Sequence, residues 1–360
     1  MPTNLPENFK DNHPALTALG WSAFYHQQLT SEEFDDAMPC RVMAVHRGQL
    51  VLSSGSHDLT LSLSGKMLAE QDDHQATIGD WLLMSRTTGA FLRLLERKSL
   101  IKRQAAGSDN AQQMVAANVD SLFIVTSCND DFNLSRLERY LAFAYAAEVD
   151  PVIVLTKADM CDDPEVYLKK VRTLGPLIIA EAVNALDPAT LGGLRHWCKP
   201  GQTIALLGSS GVGKSTLANG LGAEMQKTGA IREDDAKGRH TTTHRSLLPL
   251  EGGAVLLDSP GMRGLGLADC GEGVTAVFED IAALAGQCRF RNCAHDQEPG
   301  CAVKAALEDQ SLSKRRLTNY SKLMAEQVYN SATTAERRKK DKVFGKLSRN
   351  AIAAKKIHHI

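Results

Sequence analysis

The stretch Thr203–Gly222, "TIALLGSSGVGKSTLANGLG", decides the fold class of this chain. Its centre matches the phosphate-loop pattern G-x-x-x-x-G-K-[ST] at every fixed position, between a predicted strand and a predicted helix. Glycines let the backbone wrap around phosphate oxygens, and the following helix terminus adds a favourable dipole. Lys214 should reach the β- and γ-phosphates, and the Ser215 hydroxyl should bind Mg²⁺. These contacts are the same for ATP and GTP, so the phosphate loop alone does not distinguish the two nucleotides. The predicted nucleotide-binding residues are Gly208, Ser209, Ser210, Gly211, Val212, Gly213, Lys214, Ser215 and Thr216.

Two segments after the phosphate loop extend this predicted site. In "LLDSPGM", Asp258 ends a predicted strand and can hold Mg²⁺ through water, while the N–H of Gly261 can reach the γ-phosphate. In "KGRHTTTHR", one of the threonines could bind Mg²⁺ once the γ-phosphate is present, as in a switch loop. Many ordinary polar loops are rich in threonine, so composition alone does not indicate a switch loop. The prediction rests on the position of this loop between two phosphate-site motifs.

The segment "VIVLTKADM" indicates which base the site reads. The Asp159 carboxylate would accept two hydrogen bonds from guanine, and adenine has no such donor pair. The stem of Lys157 would pack along the ring, and Thr156 stands where most GTPases have Asn. Asn184 and Ala185 end the next predicted strand and resemble the loop whose backbone contacts the guanine oxygen. A four-residue match is weak alone, because many strands end in a charged turn, but the agreement with the phosphate motifs favours GTP.

The order of these motifs along the chain is unusual. The base-reading loop comes first, followed by the second base loop, the phosphate loop, the switch threonine and Asp-x-x-Gly. This order is a circular permutation of the usual GTPase order. Strands alternate with helical segments throughout this region, which predicts an α/β domain with a mostly parallel sheet covered by helices on both faces. Loops at strand ends need only converge in space, so a permuted chain can build the same site.

The rest of the chain predicts two further domains. Five short β-rich segments separated by glycine turns indicate a small barrel, an OB-fold first and an SH3-like barrel as the alternative. The polar stretch 100–119 after it is predicted as a connection. The predicted divisions are a short helical or irregular leader at 1–36, the barrel at 37–106, the permuted GTPase domain at 107–275 and a helical zinc-binding domain with a basic tail at 276–360.

A cysteine cluster near the C-terminus predicts a metal site. The motif "CRFRNCAHDQEPGC" has the spacing C-x₄-C-x-H-x₅-C, formed by Cys288, Cys293, His295 and Cys301. Three thiolates and one imidazole complete a tetrahedral Zn²⁺ site with no open position, which is typical of a structural ion. Free thiols or a disulfide are the alternatives, but no export signal precedes the chain and crowded cysteines then favour metal.

Charge and composition indicate the kind of partner. The chain has 360 residues and a net charge of −1, yet residues 314–360 hold 13 Lys and Arg against 3 Asp and Glu. A basic tail on an acidic body favours an anionic partner, nucleic acid first, although a solvated helical face has the same composition. No long uncharged apolar run and no signal peptide occur, so we expect a cytoplasmic protein without membrane contact.

Taken together, the motifs resemble the RsgA (YjeQ) family of circularly permuted GTPases, which act on the small ribosomal subunit. The resemblance covers roughly residues 37–310 and rests on "FNLSRLERYL", "VLTKADM", "GSSGVGKSTL", "KGRHTTTHR", "DSPGMR" and the cysteine cluster. It implies an OB domain, a permuted GTPase domain and a zinc domain. It also implies GTP hydrolysis stimulated by the small subunit during its late maturation, with GTP or GDP, Mg²⁺ and one structural Zn²⁺ as cofactors. The expected partner is the small subunit and its rRNA rather than DNA, and a monomer is the simplest state.

The resemblance also implies a catalytic set, His240, Lys214, Thr242 and Gly261. His240 is the candidate for positioning the attacking water, although a surface histidine beside an arginine is an equally good reading. Met262 stands after Asp-x-x-Gly, where Ras-like enzymes have a water-orienting Gln, so slow intrinsic hydrolysis is expected. The N-terminal segment lacks the basic arm of some members. Two alternatives stay open: an RNA-binding assembly checkpoint factor that uses GTP mainly as a binding switch, and an ATP-using phosphate-loop protein.

Overall fold

The computed structural model describes residues 13–46, 48–63, 75–104, 112–223, 245–258, 270–296 and 298–331. The chain divides into two compact units, one of Met1–Lys102 with Met114–Leu265 and the other of Arg103–Gln113 with Gly266–Ile360. Among the described helices, none has the length and apolar character that a membrane crossing requires.

From residue 13, where the described part of the first unit starts, three short helices follow: α1 (His13–Ala18), α2 (Ala23–His26) and α3 (Ser31–Asp36). Thr30 caps α3 in a reciprocal box with Glu33, in which each side chain accepts a hydrogen bond from the other's backbone N–H. Trp21 and Tyr25 stack with ring centroids 5.6 Å apart and bury their rings against the first strands. The described part of the leader, residues 13–36, is therefore part of the folded unit.

Five antiparallel strands follow the leader, in the five segments predicted for the barrel. They are β1 (Ala37–His46), β2 (Gln49–Ser53), β3 (Asp58–Ser62), β4 (Trp81–Ser85) and β5 (Phe91–Leu94). β1 pairs with both β2 and β4, β2 pairs with β3, and β4 pairs with β5. Alternate apolar residues of β1 and β2 share one buried cluster with β4, as period-two patterning requires. The OB or SH3-like topology of this region stays a prediction.

The stretch predicted as a polar connection is not free of strands. β6 (Leu100–Gln104) and β7 (Gln112–Ala117) pair in a separate two-stranded sheet. Ile101 and Val115 are fully buried within these strands. The prediction was wrong because the polar residues at the middle of the stretch outweighed the short apolar runs at its two ends.

The described residues of the α/β part of the first unit form six strands and three α-helices. The strands are β8 (Ser121–Ser127), β9 (Asp150–Thr156), β10 (Ile179–Ala182), β11 (Thr203–Leu207), β12 (Arg245–Pro249) and β13 (Val255–Asp258). The helices are α4 (Leu134–Ala146), α5 (Pro164–Arg172) and α6 (Lys214–Gly220). The strand order is β10-β9-β8-β11-β13-β12, with every pair parallel except β12 with β13. This agrees with the predicted α/β domain.

The barrel strands and the α/β strands form one mixed sheet of eleven strands, because β1 pairs antiparallel with β12 at Ala44 and Ser246. A buried arginine stabilises the same junction. Arg41 on β1 donates from Nη2 to the Thr203 hydroxyl at 2.7 Å and to the Asn118 carbonyl at 3.3 Å. Thr203 is the first residue of β11, so the barrel contacts the strand that leads into the phosphate loop.

The part of the second unit that the structure describes has four helices, α7 (Gly271–Val277), α8 (Glu279–Ala285), α9 (Ala302–Glu308) and α10 (Lys314–Ser331). Arg316 on α10 anchors it with a bidentate pair to Asp280, both distances 2.8 Å, and lies over the Phe278 ring at 4.8 Å. This region is helical, as its sequence pattern predicted. The basic tail after α10 lies outside the described residues.

Candidate nucleotide and metal sites

The candidate nucleotide site lies at one edge of the parallel sheet. β8, β9, β10, β11 and β13 all run in the same direction, so their carboxyl ends meet at this edge. The loops that follow β9, β10 and β11 carry the predicted base-reading, second base and phosphate motifs. In open α/β sheets, ligands bind at this edge. The permuted order therefore still brings the motifs to one place.

The phosphate loop is fitted tightly between β11 and β8. A Cβ added at Gly208 would lie 2.2 Å from the carbonyl oxygen of Val125 on β8, so only glycine allows this approach. Gly211 and Gly213 have φ of +79° and +90°, in the left-handed region that glycine adopts without strain. Sterics rather than chance composition explain why these positions are glycine.

Gly208→Ala tests this packing. The new methyl group can be accommodated only if β11 moves away from β8, so we expect a loss of about 3 kcal/mol in the free energy of unfolding. Gly211→Ala is the matched control, because its Cβ would meet nothing within 4 Å and only the positive φ opposes it. That control should lose about 1 kcal/mol. Urea unfolding of both variants checks this, and equal losses would contradict the steric explanation.

The amine of Lys214 lies across the phosphate loop. It donates to the Gly208 carbonyl at 2.7 Å and also to the Ser209 carbonyl. Ser215 follows on the exposed side of the first turn of α6. A positive amine beside several backbone N–H groups at a helix start is the arrangement that binds phosphate oxygens.

The base-reading loop contacts the phosphate loop directly. Lys157 has a left-handed φ of 56°, and its amine donates to the Gly211 carbonyl at 2.9 Å. The buried hydroxyl of Thr156 lies 2.5 Å from the Val212 carbonyl oxygen and 3.1 Å from that of Thr126. Asp159 is exposed on the 3₁₀ turn that follows. Thr156 thus makes the link between the two motifs, although they are 56 positions apart in the chain.

Thr156→Val tests this link. Valine keeps the shape of the side chain but leaves the buried Val212 carbonyl without its donor, which costs about 1–3 kcal/mol. We expect a weaker guanine-nucleotide affinity together with lower stability, because the two loops lose their connection. Thr173→Val is the control, since its hydroxyl donates to a carbonyl at the exposed end of α5. Fluorescent GDP titration measures both, and identical affinities would contradict the proposed connection.

The second base loop uses its asparagine to shape its own turn. The Asn184 side-chain oxygen accepts from the Leu186 N–H at 3.0 Å, and the Thr190 hydroxyl donates to the Asn184 carbonyl at 2.8 Å. The N–H of Ala158 donates to the Val183 carbonyl at 3.2 Å, which joins this loop to the base-reading loop. Ala185 is buried beside the end of α6. The Asn184 side chain is thus engaged within its own turn, which leaves backbone groups of the loop for the predicted contact with the base.

The structure describes only one of the remaining predicted site residues around the γ-phosphate. Asp258 is the last residue of β13, at the same edge of the sheet as the phosphate loop. His240, Thr242 and Gly261 lie outside the described residues. Sequence reasoning did not find the contact of Gly208 with β8 or the role of Arg41. An arginine within the apolar segment of β1 could have been noticed in the sequence, but the sequence does not indicate which residues it contacts.

The cysteine cluster has the geometry of a zinc site. The ligand atoms of Cys288, Cys293, His295 and Cys301 all lie within 4.8 Å of one another. The Cys288 and Cys301 sulfurs are 3.9 Å apart, and His295 Nδ1 is 3.6 Å and 3.5 Å from them. A tetrahedral Zn²⁺ separates two sulfur ligands by about 3.8 Å and a sulfur from a nitrogen by about 3.5 Å. The described residues therefore fit this ion.

Local backbone structure brings the four ligands together. His295 adopts a left-handed φ of 60°, and Gly300 one of 74°. The Arg289 N–H donates to the Gly300 carbonyl at 3.0 Å, which closes the loop. The Cys301 sulfur caps α9 by accepting from the Lys304 N–H at 3.4 Å.

The fold resembles two solved structures, one of which is described as a circularly permuted GTPase. The chain is similar to YjeQ from Thermotoga maritima, with a TM-score of 0.59 and 25% identity over 81% of this chain and 99% of that one. It also shares the fold of YloQ, described as a circularly permuted GTPase, with a TM-score of 0.58 and 23% identity over 85% of this chain and 100% of that one. The permuted α/β fold is therefore confirmed.

Sequence comparison identifies the same group. The sequence model of the RsgA GTPase family matches residues 94–268. Small ribosomal subunit biogenesis GTPase RsgA 2 of Vibrio parahaemolyticus is 50% identical over 95% of this chain and 94% of its own length. Small ribosomal subunit biogenesis GTPase RsgA of Mesorhizobium japonicum is 45% identical over 91% of this chain and 94% of its own. With its motifs converging at one sheet edge and relatives matching nearly its whole length, the chain belongs to the RsgA family of GTPases.

Proposed function

We propose that this protein hydrolyses GTP in response to binding the small ribosomal subunit and acts in the late maturation of that subunit. The observation that carries the proposal is the direct contact of the base-reading loop with the phosphate loop, through Thr156 to Val212 and Lys157 to Gly211. This contact supports a single site that reads guanine and holds phosphates. Curated relatives with the same motifs are named as small ribosomal subunit biogenesis GTPases.

Each part of the nucleotide has proposed ligands in this chain. Asp159 and Lys157 read the guanine, with Ala185 and its neighbours contributing backbone groups. The amine of Lys214 stabilises charge on the β- and γ-phosphates, and it lies at the loop where those phosphates bind. When bound, Mg²⁺ neutralises developing charge on the phosphate oxygens.

The roles proposed for the residues around the γ-phosphate are based on the sequence motifs of the family. Ser215 and Thr242 would hold Mg²⁺, with Asp258 acting through water. Gly261 would offer its N–H to the γ-phosphate, and His240 would position the attacking water. Since Met262 replaces the glutamine of Ras-like enzymes, intrinsic hydrolysis should be slow, and the partner should supply the acceleration.

We assign Zn²⁺ a structural role in the second unit. Four protein ligands leave no open position for chemistry. The loop between Cys288 and Cys301 is polar and exposed over most of its length, so packing contributes little to its stability. Zinc binding then supplies much of the folding free energy of this loop.

The zinc loop and α10 form the proposed contact surface for rRNA. Phe290 is 41% exposed, and the Arg289 guanidinium lies 5.5 Å from its ring centroid. Exposed aromatic rings flanked by arginines stack on unpaired bases. Lys314 and Arg315 begin α10 with further positive charge. A partner of this kind implies action in the cytoplasm, and a monomer suffices for it.

Multiple-turnover GTP hydrolysis with and without purified small subunits tests the proposal. We expect slow turnover by the protein alone and at least about tenfold faster turnover with small subunits. Large subunits at the same concentration are the control and should have no effect. Unchanged turnover with small subunits would contradict the proposal. Tight binding of the GTP form without acceleration would instead support a checkpoint factor that uses GTP as a binding switch.

A further inference from the structure

Strands β12 and β13 form an antiparallel hairpin whose open end lies at the edge of the sheet that carries the phosphate loop. At this end Ser246 lies opposite Asp258, the last residue of β13. β12 begins at Arg245, three positions after Thr242, and β13 ends three positions before Gly261. The open end of the hairpin is therefore joined directly to both chain segments proposed around the γ-phosphate.

The first barrel strand pairs with the same end of this hairpin. On β1, Ala44 lies opposite Ser246, and Val45 lies opposite Arg245. Ala44, Ser246 and Asp258 therefore lie abreast on three neighbouring strands. The register with β1 covers the first two residues of β12, so β1 supports the open end of the hairpin rather than its turn.

β1 is itself held firmly within the first unit. On its other side it pairs with β2, where Val45 lies opposite Leu50. Val42 and Leu50 are fully buried in the core of the barrel strands. Arg41 ties the strand to β11 through its 2.7 Å hydrogen bond to the Thr203 hydroxyl. One barrel strand thus contacts both the strand before the phosphate loop and the strand after the candidate switch segment.

We propose that Ala44 and Val45 are positioning residues for the γ-phosphate side of the nucleotide site, acting through their pairing with β12. The inference rests on the proposed roles of Thr242 and Asp258. A strand end without a neighbour leaves backbone N–H and C=O groups unpaired and opens locally at low cost. Pairing with β1 keeps the open end of the hairpin ordered before nucleotide binds, so the cost of ordering it is not subtracted from GTP affinity.

GDP and GTP should depend on this pairing to different extents. The base-reading loop and the phosphate loop supply the proposed contacts to guanine and to the β-phosphate, and neither loop belongs to the hairpin. The γ-phosphate adds the proposed contacts of Thr242 and Gly261, on either side of the hairpin in the chain. Loss of the pairing should therefore weaken GTP binding far more than GDP binding, whereas general destabilisation would weaken both alike.

Ala44→Pro and Val45→Pro test the proposal in the full-length protein. Successive residues of a strand direct their N–H groups to opposite neighbours, so one variant removes a donor to β12 and the other a donor to β2. Amide hydrogen exchange identifies the variant in which β12 loses protection. With Mg²⁺ present, that variant should bind a fluorescent non-hydrolysable GTP analogue at least about tenfold more weakly than the wild type, and fluorescent GDP within about twofold.

Thr60→Pro is the matched control, because Thr60 is exposed on β3, which pairs with β2 at the far edge of the sheet. It should leave the ratio of the two affinities unchanged. Val45→Gly is a milder variant should proline prevent folding. Glycine weakens a strand position by a factor of about two to five, and the analogue affinity should fall by that factor with GDP affinity unchanged.

The ratio of the two affinities decides the outcome. Equal losses for the analogue and GDP in the variant that exposes β12, or no loss for either, would overturn the proposal. Thr242→Ala and Asp258→Asn, titrated in the same way, report separately on the proposed γ-phosphate contacts. Wild-type analogue affinity in both would refute those roles in the proposed function, and the proline variants would still decide whether β1 positions the hairpin.

Discussion

Asp159→Asn should change the base that the protein reads from guanine to xanthine. The carboxylate is proposed to accept two hydrogen bonds from guanine, and each charged hydrogen bond contributes about 1.5–3 kcal/mol. An amide presents an N–H toward the base where the carboxylate presented an acceptor, and xanthine carries a carbonyl oxygen in place of the guanine amine. We therefore expect GTP affinity to fall about a hundredfold or more, while xanthosine triphosphate binds in its place.

Competition between labelled GDP and unlabelled GTP or xanthosine triphosphate measures this change. Asp162→Asn is the matched control, because it makes the same substitution at an exposed position three residues later. It should bind GTP as the wild type does. Retention of GTP preference by Asp159→Asn would show that another group selects the base.

Cys301→Ser should remove zinc from the protein and destabilise the second unit. Cys301 is the most buried of the four ligands and also caps α9, so its loss affects both the ion and the helix. Structural zinc sites contribute about 10–16 kcal/mol of apparent binding free energy, far more than a polar loop gains from packing. We expect zinc content to fall from about one ion per chain to almost none.

Metal analysis and thermal unfolding check this expectation. Cys198→Ser is the control, since its thiol donates to the Leu194 carbonyl and a hydroxyl can do the same. That variant should keep its zinc. A chelator should reproduce the effect of Cys301→Ser in the wild type. Full zinc content in Cys301→Ser would mean that this cysteine is not a ligand.

Much of the architecture follows from local patterns in the sequence. The apolar run Leu122–Val125 inside β8 and the alternating residues of β3 are strong strand signals. Asn133 and Asp163 cap α4 and α5, where each side chain accepts a backbone N–H at the start of the helix. Because these signals act over a few residues, they can be read directly from the chain.

Features that depend on distant residues could not be read in this way. The pairing of β1 with β12 and the burial of Arg41 against Thr203 bring together positions far apart in sequence.

The nucleotide site likewise combines motifs that can be recognised in the sequence with contacts that cannot. The phosphate loop and the base-reading loop each have a recognisable motif, so their residues were predicted individually. The contact between the two loops through the Thr156 hydroxyl was not predicted, because a threonine in place of asparagine gives no indication of the group to which it donates. Steric fit of Gly208 against Val125 likewise requires the position of β8.

The central claim is that loops in permuted order build one site specific for guanine nucleotides. Displacement of fluorescent GDP from the wild-type protein, with unlabelled GTP and ATP titrated in parallel, tests it most directly. The contacts of Thr156 and Lys157 with the phosphate loop place the Asp159 turn beside it, so GTP should displace the probe at concentrations at least about a hundredfold below those of ATP. Equal displacement by ATP would contradict the claim and indicate a phosphate loop that works without a base-reading loop.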